Sequence, residues 1–122
     1  MTIRGRISVL VAVGCGVLLI AGIALAAKAA TTVTIKGPDH VYGYIHSQKA
    51  KCLGGRTVRV YKQKGSTQKP SVDKVMDSTT SDRQGSRGNW DIGNPGFPSG
   101  KYYAEVTKTS SCQSAFSKTV KF

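Results

Sequence analysis

Two histidines, six acidic residues and a single tryptophan leave this 122-residue chain short of the side chains from which most catalytic and metal sites are built. His40 and His46 are its only imidazoles, and neither lies in a nucleophile motif. Ser47 follows His46 at a strand end, where successive side chains point to opposite faces, so the two read as surface polar groups and not as nucleophile and base. Cys52 and Cys112 have no second cysteine or histidine at the close spacing zinc requires. Asp73, Asp77 and Asp82 share a polar segment but lack the glycine-centred oxygen spacing of a calcium loop, and Lys74 and Arg83 oppose a cation there. Gly85-Ser86-Arg87-Gly88 has neither the lysine nor the following helix of a phosphate loop. No cofactor, metal or catalytic residue is expected.

Charge is also missing from a long stretch near the start. After Arg4 and Arg6 the sequence runs from Ile7 to Ala27 without a charged residue and closes on Ala27-Lys28-Ala29-Ala30. A cationic start, an apolar run and a small-x-small ending make a signal peptide over residues 1–30, cleaved after Ala29 or Ala30 or, as second choice, after Ala26. An uncleaved membrane anchor is the competing reading, since about 20 apolar residues can span a bilayer as a hydrophobic helix. On either reading the positive-inside rule puts everything after Lys28 outside the cytoplasm, secreted or on the outer face of the membrane. Cys15 lies within the apolar run, without the upstream leucine or polar continuation of a lipidated cysteine, and reads as a small apolar residue.

Residues 31–122 then form one small domain. Losing Arg4, Arg6 and Lys28 takes the 18 basic residues to 15 against 6 acidic ones, a net charge of +9. Such a surface is drawn to anionic polymers and membranes. A domain this small buries a modest core, and outside the cell a covalent staple is expected. With the leader removed, only Cys52 and Cys112 remain to pair. A closed loop of that length stabilises the fold by roughly 4 kcal/mol on chain entropy.

No window of ten or more residues after Thr31 carries apolar positions at helical spacing, whereas short β-branched and aromatic runs recur between turn clusters. Strands are expected at 32–35, 40–46, 56–62, 72–78, 89–92, 102–106 and 115–122. The polar stretch 79–88 reads as a turn or long loop. Seven antiparallel strands at this spacing build a β-sandwich.

The progression Val41-Tyr42-Gly43-Tyr44-Ile45, Cys52, Gly55-Arg56-Thr57-Val58-Arg59-Val60-Tyr61, Asp82, Gly88-Asn89-Trp90, Pro98-Ser99-Gly100-Lys101-Tyr102-Tyr103-Ala104-Glu105-Val106, then Cys112 with Ala115, Ser117 and Val120, resembles small secreted domains of Gram-positive bacteria. These are related in fold to carboxypeptidase regulatory-like, or transthyretin-like, Ig-type sandwiches. The Pro-x-Gly-x-Tyr motif ending in Val106 is the most specific piece, and a few extra residues between Asp82 and Trp90 depart from the compact form. The resemblance implies a sandwich, a disulfide between loops and a binding or structural role, and it supplies no catalytic residues.

Lys49, Lys51, Arg56, Arg59, Lys62 and Lys64 are the candidate anion-binding residues, and strand alternation places Arg56 and Lys62 on one face. The alternative is an ordinary solvated face that guards a sheet edge against aggregation. Trp90, Tyr102 and Phe116 are expected in the core. Tyr42, Tyr44, Tyr61 and Tyr103 are exposed or half-buried cross-strand partners, and a carbohydrate or polymer platform follows if Tyr61 and Tyr103 share an outer face with Arg59. The leading expectation is a non-enzymatic secreted or surface-tethered binding module whose partner is an extracellular protein or an anionic cell-envelope polymer. A cationic effector acting on anionic polymers or membranes is the first rival, and a small exported hydrolase using His40 or His46 the second. Nucleic acid fits poorly, because the aromatic spacing of an RNA-binding sheet is missing.

Overall fold

The computed structural model describes residues 27–122. The expected hydrophobic helix of the leader and Cys15 lie in residues 1–26, outside the described residues. Among the described residues no helix is long and apolar enough to cross a membrane.

Nine strands are present among these residues: β1 (Thr31–Val33), β2 (Val41–Ser47), β3 (Thr57–Gln63), β4 (Lys74–Thr80), β5 (Asp82–Gln84), β6 (Arg87–Gly93), β7 (Lys101–Val106), β8 (Ala115–Phe116) and β9 (Val120–Lys121). They form two antiparallel sheets, one in the order β1-β2-β6-β5 and one in the order β4-β3-β7-β8, with β9 also pairing with β7. The chain is thus all-β and sandwich-like, with nine strands where seven were expected. One addition is β5, whose three residues are polar, exposed and at a sheet edge, so they carry no apolar alternation to read. The other arises because the expected last strand divides: between β8 and β9 the Ala104 N–H of β7 donates to the Ser117 hydroxyl in place of a main-chain carbonyl, and Gln68 donates to the Ser117 carbonyl and to Thr119 Oγ1. β4 begins two residues later than expected, because Lys69–Asp73 closes a turn through Val72 N–H and Asp73 N–H donating to the Lys69 carbonyl.

Strand alternation fills the space between the sheets. Val41 and Ile45 from β2, Val58 and Val60 from β3, and Tyr102, Ala104 and Val106 from β7 meet Val33, Ile35 and Trp90 in one core. Trp90 Nε1 donates to the Thr34 carbonyl at 3.1 Å across from Gly43. A Cβ on Gly43 would sit 1.9 Å from that carbonyl oxygen, so only glycine lets Thr34, just after β1, and the indole approach this closely. Tyr102, in the Pro-x-Gly-x-Tyr motif, stacks between Phe97 and Phe122 with ring centroids 5.2 and 4.7 Å away, and its hydroxyl donates to the Pro98 carbonyl. Trp90 and Tyr102 are buried as expected. Phe116 is not: it is 44% exposed. It pairs with Glu105 on the outward-facing parity of β7, while Ala115, opposite Val106, takes the inward position.

The disulfide joins Cys52 to Cys112, both buried, with Cα atoms 5.7 Å apart and a sequence separation of 60. It ties the β2–β3 connection to the β7–β8 connection. Beside it Ala29 N–H donates to the Ser111 carbonyl, and Gln113 N–H to the Ala29 carbonyl. Hydrogen-bonded structure therefore starts before Thr31.

Candidate functional site

The six candidate cations do not share a face. Positions 56, 58, 60 and 62 have one parity, and Val58 and Val60 point it into the core. Arg56, expected to be exposed, is therefore 1% exposed, and Lys62 is half-buried at the far end of the strand. The Arg56 guanidinium donates to the Cys52 carbonyl (2.9 Å), Thr31 Oγ1 (3.3 Å), the Thr107 carbonyl (2.9 Å) and the Gln113 carbonyl (2.8 Å). It is a knot beneath the disulfide, gathering β1 and both bridged connections, and burial pulls its pKa below the ordinary arginine value. Lys49 and Lys51 stand exposed near the disulfide end of the domain, and Lys49 lines a cleft of about 520 Å³ with Ala29, Thr31 and Ser47. Lys64 follows the opposite end of β3, about 20 Å away along seven residues of strand. There Lys62 pairs across strands with Lys74, and Lys62, Lys64 and Lys74 line a second cleft. Arg59 is exposed on the outer face, 3.8 Å from Glu105.

Tyr61 and Tyr103 do share that outer face with Arg59. They are direct cross-strand partners, stacked at 5.0 Å and nearly parallel. They form no platform, because the 64–73 segment covers them and leaves them 3% and 0% exposed. The cover is pinned by the buried Asp73, whose carboxylate accepts Tyr103 Oη–H (2.6 Å), Lys69 N–H (2.8 Å) and Lys64 N–H (2.9 Å). The Tyr103 hydroxyl, with the two amides, holds the Asp73 carboxyl below its usual range against the opposing effect of burial. Burial, followed by Asp73, drives the Tyr103 phenol well above its own. Tyr61 donates to Glu105 Oε1 at 2.6 Å and is pushed up by burial first and by that carboxylate second.

The uncovered aromatic face lies on the other sheet. Val41, Gly43 and Ile45 face the core, so His40, Tyr42, Tyr44 and His46 face outward in a row along β2. The His40 and Tyr42 rings are 5.0 Å apart, and Tyr42 meets Tyr44 edge-to-face at 6.1 Å. On β6, Asp91 lies opposite Tyr42 and Asn89 opposite Tyr44. Asp91 Oδ2 is 2.7 Å from His40 Nε2, and Asp91 Oδ1 accepts Gly93 N–H at 2.6 Å. Arg87 lays its guanidinium 4.0 Å from the centroid of the Tyr44 ring, a cation–π contact worth about 0.5–1 kcal/mol at an exposed site. The alternation of Tyr42 and Tyr44 is legible in the sequence. Arg87, Asn89 and Asp91 were missed as members of the site, since their placement depends on the register between β2 and β6 and on a bulge between Val41 and Tyr42.

Ser47 Oγ donates to the Ala30 carbonyl at 2.8 Å and has no contact with His46 of nucleophile–base type. Among the described residues no three His, Cys, Asp or Glu side chains group so as to hold a metal ion. The chain matches no protein-family model and no curated protein.

Proposed function

We propose that this chain is an exported, non-enzymatic Ig-like or transthyretin-like module that binds a partner outside the cell through the outer face of its β1-β2-β6-β5 sheet. The observation that carries the reading is the outward row of His40, Tyr42 and Tyr44 with Arg87 laid on it. Three rings held in fixed relation by a strand, on a face that no segment of the described domain covers, are a pre-organised contact surface. The strand orders also support the Ig-like assignment: the two sheets correspond to the A-B-E-D and C-F-G arrangement, with one further strand beside C. Export is supported by the charge-free leader and by the buried disulfide, which fits an oxidising compartment. Fold alone does not choose a ligand.

The test is adsorption of the exported protein to washed envelopes of the cells that make it. Saturable retention that falls at least tenfold in a Tyr42→Ala/Tyr44→Ala variant of unchanged circular dichroism is expected. Retention that ignores the substitution, or the appearance of soluble envelope fragments on incubation, would overturn the reading.

A second reading draws on the other end of the molecule, where the Lys62 and Lys74 pair and Lys64 concentrate positive charge. It makes the protein a cationic effector that adheres to anionic polymers or membranes. Its retention on heparin or on vesicles of anionic phospholipid falls steeply with salt and falls further on Lys62→Gln/Lys64→Gln substitution.

A further inference from the structure

The balance of charge around the β2 row identifies a class of ligand. Lys36, opposite Tyr42 on the preceding segment, and Arg87 supply two positive charges; Asp91, opposite Tyr42, and Asp82, opposite Asn89, supply two negative ones. Around Tyr42 and Tyr44 these four charges cancel, although residues 31–122 together carry a net +9. An anionic polymer is drawn to the lysine end of the other sheet, where Lys62, Lys64 and Lys74 gather, and gains nothing from choosing the aromatic row.

A protein partner is served poorly here for a different reason. Stable protein interfaces need a well-packed apolar centre. The large exposed hydrophobics among the described residues are Val72, Val75 and Phe116, and all three lie on or beside the β4-β3-β7-β8 sheet. The β2 row offers half-buried rings bordered by side chains that make hydrogen bonds. Arg87 makes no ion pair among the described residues, so its N–H donors are uncommitted. Asp91 contributes carboxylate lone pairs beside Tyr42, and Asn89, its Oδ1 buried, lies beside Tyr44.

Aromatic surface bordered by donors and acceptors, with no net charge, matches a ligand that has an apolar face and a rim of hydroxyls. We infer that the row His40, Tyr42, Tyr44, Arg87, Asn89 and Asp91 binds an uncharged polysaccharide, whose sugar rings lie against the tyrosines while their hydroxyls pair with Arg87 and Asp91. The inference rests on the binding-module reading and narrows it to one ligand chemistry at the same site.

The experiment is native gel electrophoresis of the exported, disulfide-bonded protein through gels that contain hydroxyethyl cellulose, glucomannan or laminarin, with heparin and polyglutamate as anionic controls. Retardation by at least one neutral polymer is expected, unchanged by 0.5 M salt in a parallel pull-down on the insoluble form of that polymer. Each lost ring contact should cost about tenfold in affinity, so Tyr42→Ala and Tyr44→Ala should abolish the shift. Arg87→Gln, a change at an exposed residue outside the core, should weaken it about threefold or more. Retardation by the anionic polymers alone, lost in salt and indifferent to these substitutions, would overturn the inference, as would no retardation by any neutral polymer. If either result came with envelope adsorption that still needs Tyr42 and Tyr44, the module reading would stand and the ligand class would fall. Loss of envelope adsorption as well would remove both.

Discussion

Replacing Arg56 with methionine keeps most of the side-chain volume while removing all four hydrogen bonds that gather β1 and the two bridged connections. Thr107 and Gln113 are partly exposed, so water can reach their carbonyls, whereas the carbonyl of buried Cys52 is left without its donor. Leaving a buried acceptor unsatisfied costs about 1–3 kcal/mol, and hydrogen bonds to a charged donor are each worth about 1.5–3 kcal/mol. The methionine recovers part of this by burying apolar atoms, which leaves an expected net loss of about 3 kcal/mol. For a domain near 90 residues that lowers the melting temperature by about 12–24 °C. Guanidinium unfolding followed by fluorescence of the buried Trp90 measures it. Because Arg56 grips the chain on both sides of the Cys52–Cys112 bridge, the loss should shrink by about 1 kcal/mol or more when both cysteines are replaced by alanine. Heparin elution should not change, since the guanidinium touches no solvent-borne anion. A stability change under about 1 kcal/mol, or a gain of the kind seen when apolar residues replace buried charges, would refute the knot. So would weaker heparin binding at unchanged stability.

Gly43→Ala forces a Cβ against the Thr34 carbonyl and the Trp90 indole; overpacking plus the strained Trp90 hydrogen bond should cost about 2–4 kcal/mol in the same unfolding assay, and a change under 0.5 kcal/mol would contradict the close approach. The Asp73 carboxyl is held low, so its contribution to stability is complete above its ordinary range near pH 4 and fades as pH falls through its lowered value. The Tyr103 phenol is held high, so its contribution is complete below about pH 10 and fades at higher pH. Asp73→Asn should be less stable at pH 7 and should lose less between pH 5 and pH 2 than the parent, as read from urea midpoints; parallel acid slopes would refute the pin. A chain beginning at Thr31 lacks the two Ala29 hydrogen bonds to the 111–113 segment and the acceptor for Ser47 Oγ. It should be about 1–2 kcal/mol less stable than one beginning at Ala27, and equal midpoints would show that the added residues contribute nothing.

The two-sheet architecture, the disulfide and the inward residues of β2, β3 and β7 could be read from period-two alternation and from the number of cysteines. Phe116 could not, because its side is decided by its pairing with Glu105; Arg56 shares the visible parity of Val58 and Val60, and its charge alone argued for an exposed position. A buried arginine also runs against composition-level expectation, which puts arginine outside unless its donors find partners. Here the partners are three main-chain carbonyls and one threonine hydroxyl, contributed by segments up to 57 residues away along the chain. Residues 64–70 read as a loop and 72–73 as the start of a strand; that the whole 64–73 segment instead closes over Tyr61 and Tyr103 depends on three hydrogen bonds to Asp73. The aromatic row was half legible, since Tyr42 and Tyr44 alternate visibly while their β6 partners are fixed by register alone.

A net charge is a sum, and recognition depends on where its parts stand. Of the six cations that the sequence groups within sixteen residues, one is consumed inside the fold, one lies beside Glu105, and the others are split between opposite ends of β3. The excess of +9 over residues 31–122 is therefore not a property of the surroundings of Tyr42 and Tyr44, where Lys36 and Arg87 meet Asp82 and Asp91. If the protein is retained by anionic matter, salt and the lysines will govern it, and Tyr42 will not matter. If it is retained through the row, salt will matter little, because rings and hydrogen-bonding groups whose neighbouring charges cancel have no long-range attraction to screen. The salt response of wild type and of Tyr42→Ala/Tyr44→Ala, measured side by side, separates the two surfaces before any ligand is identified.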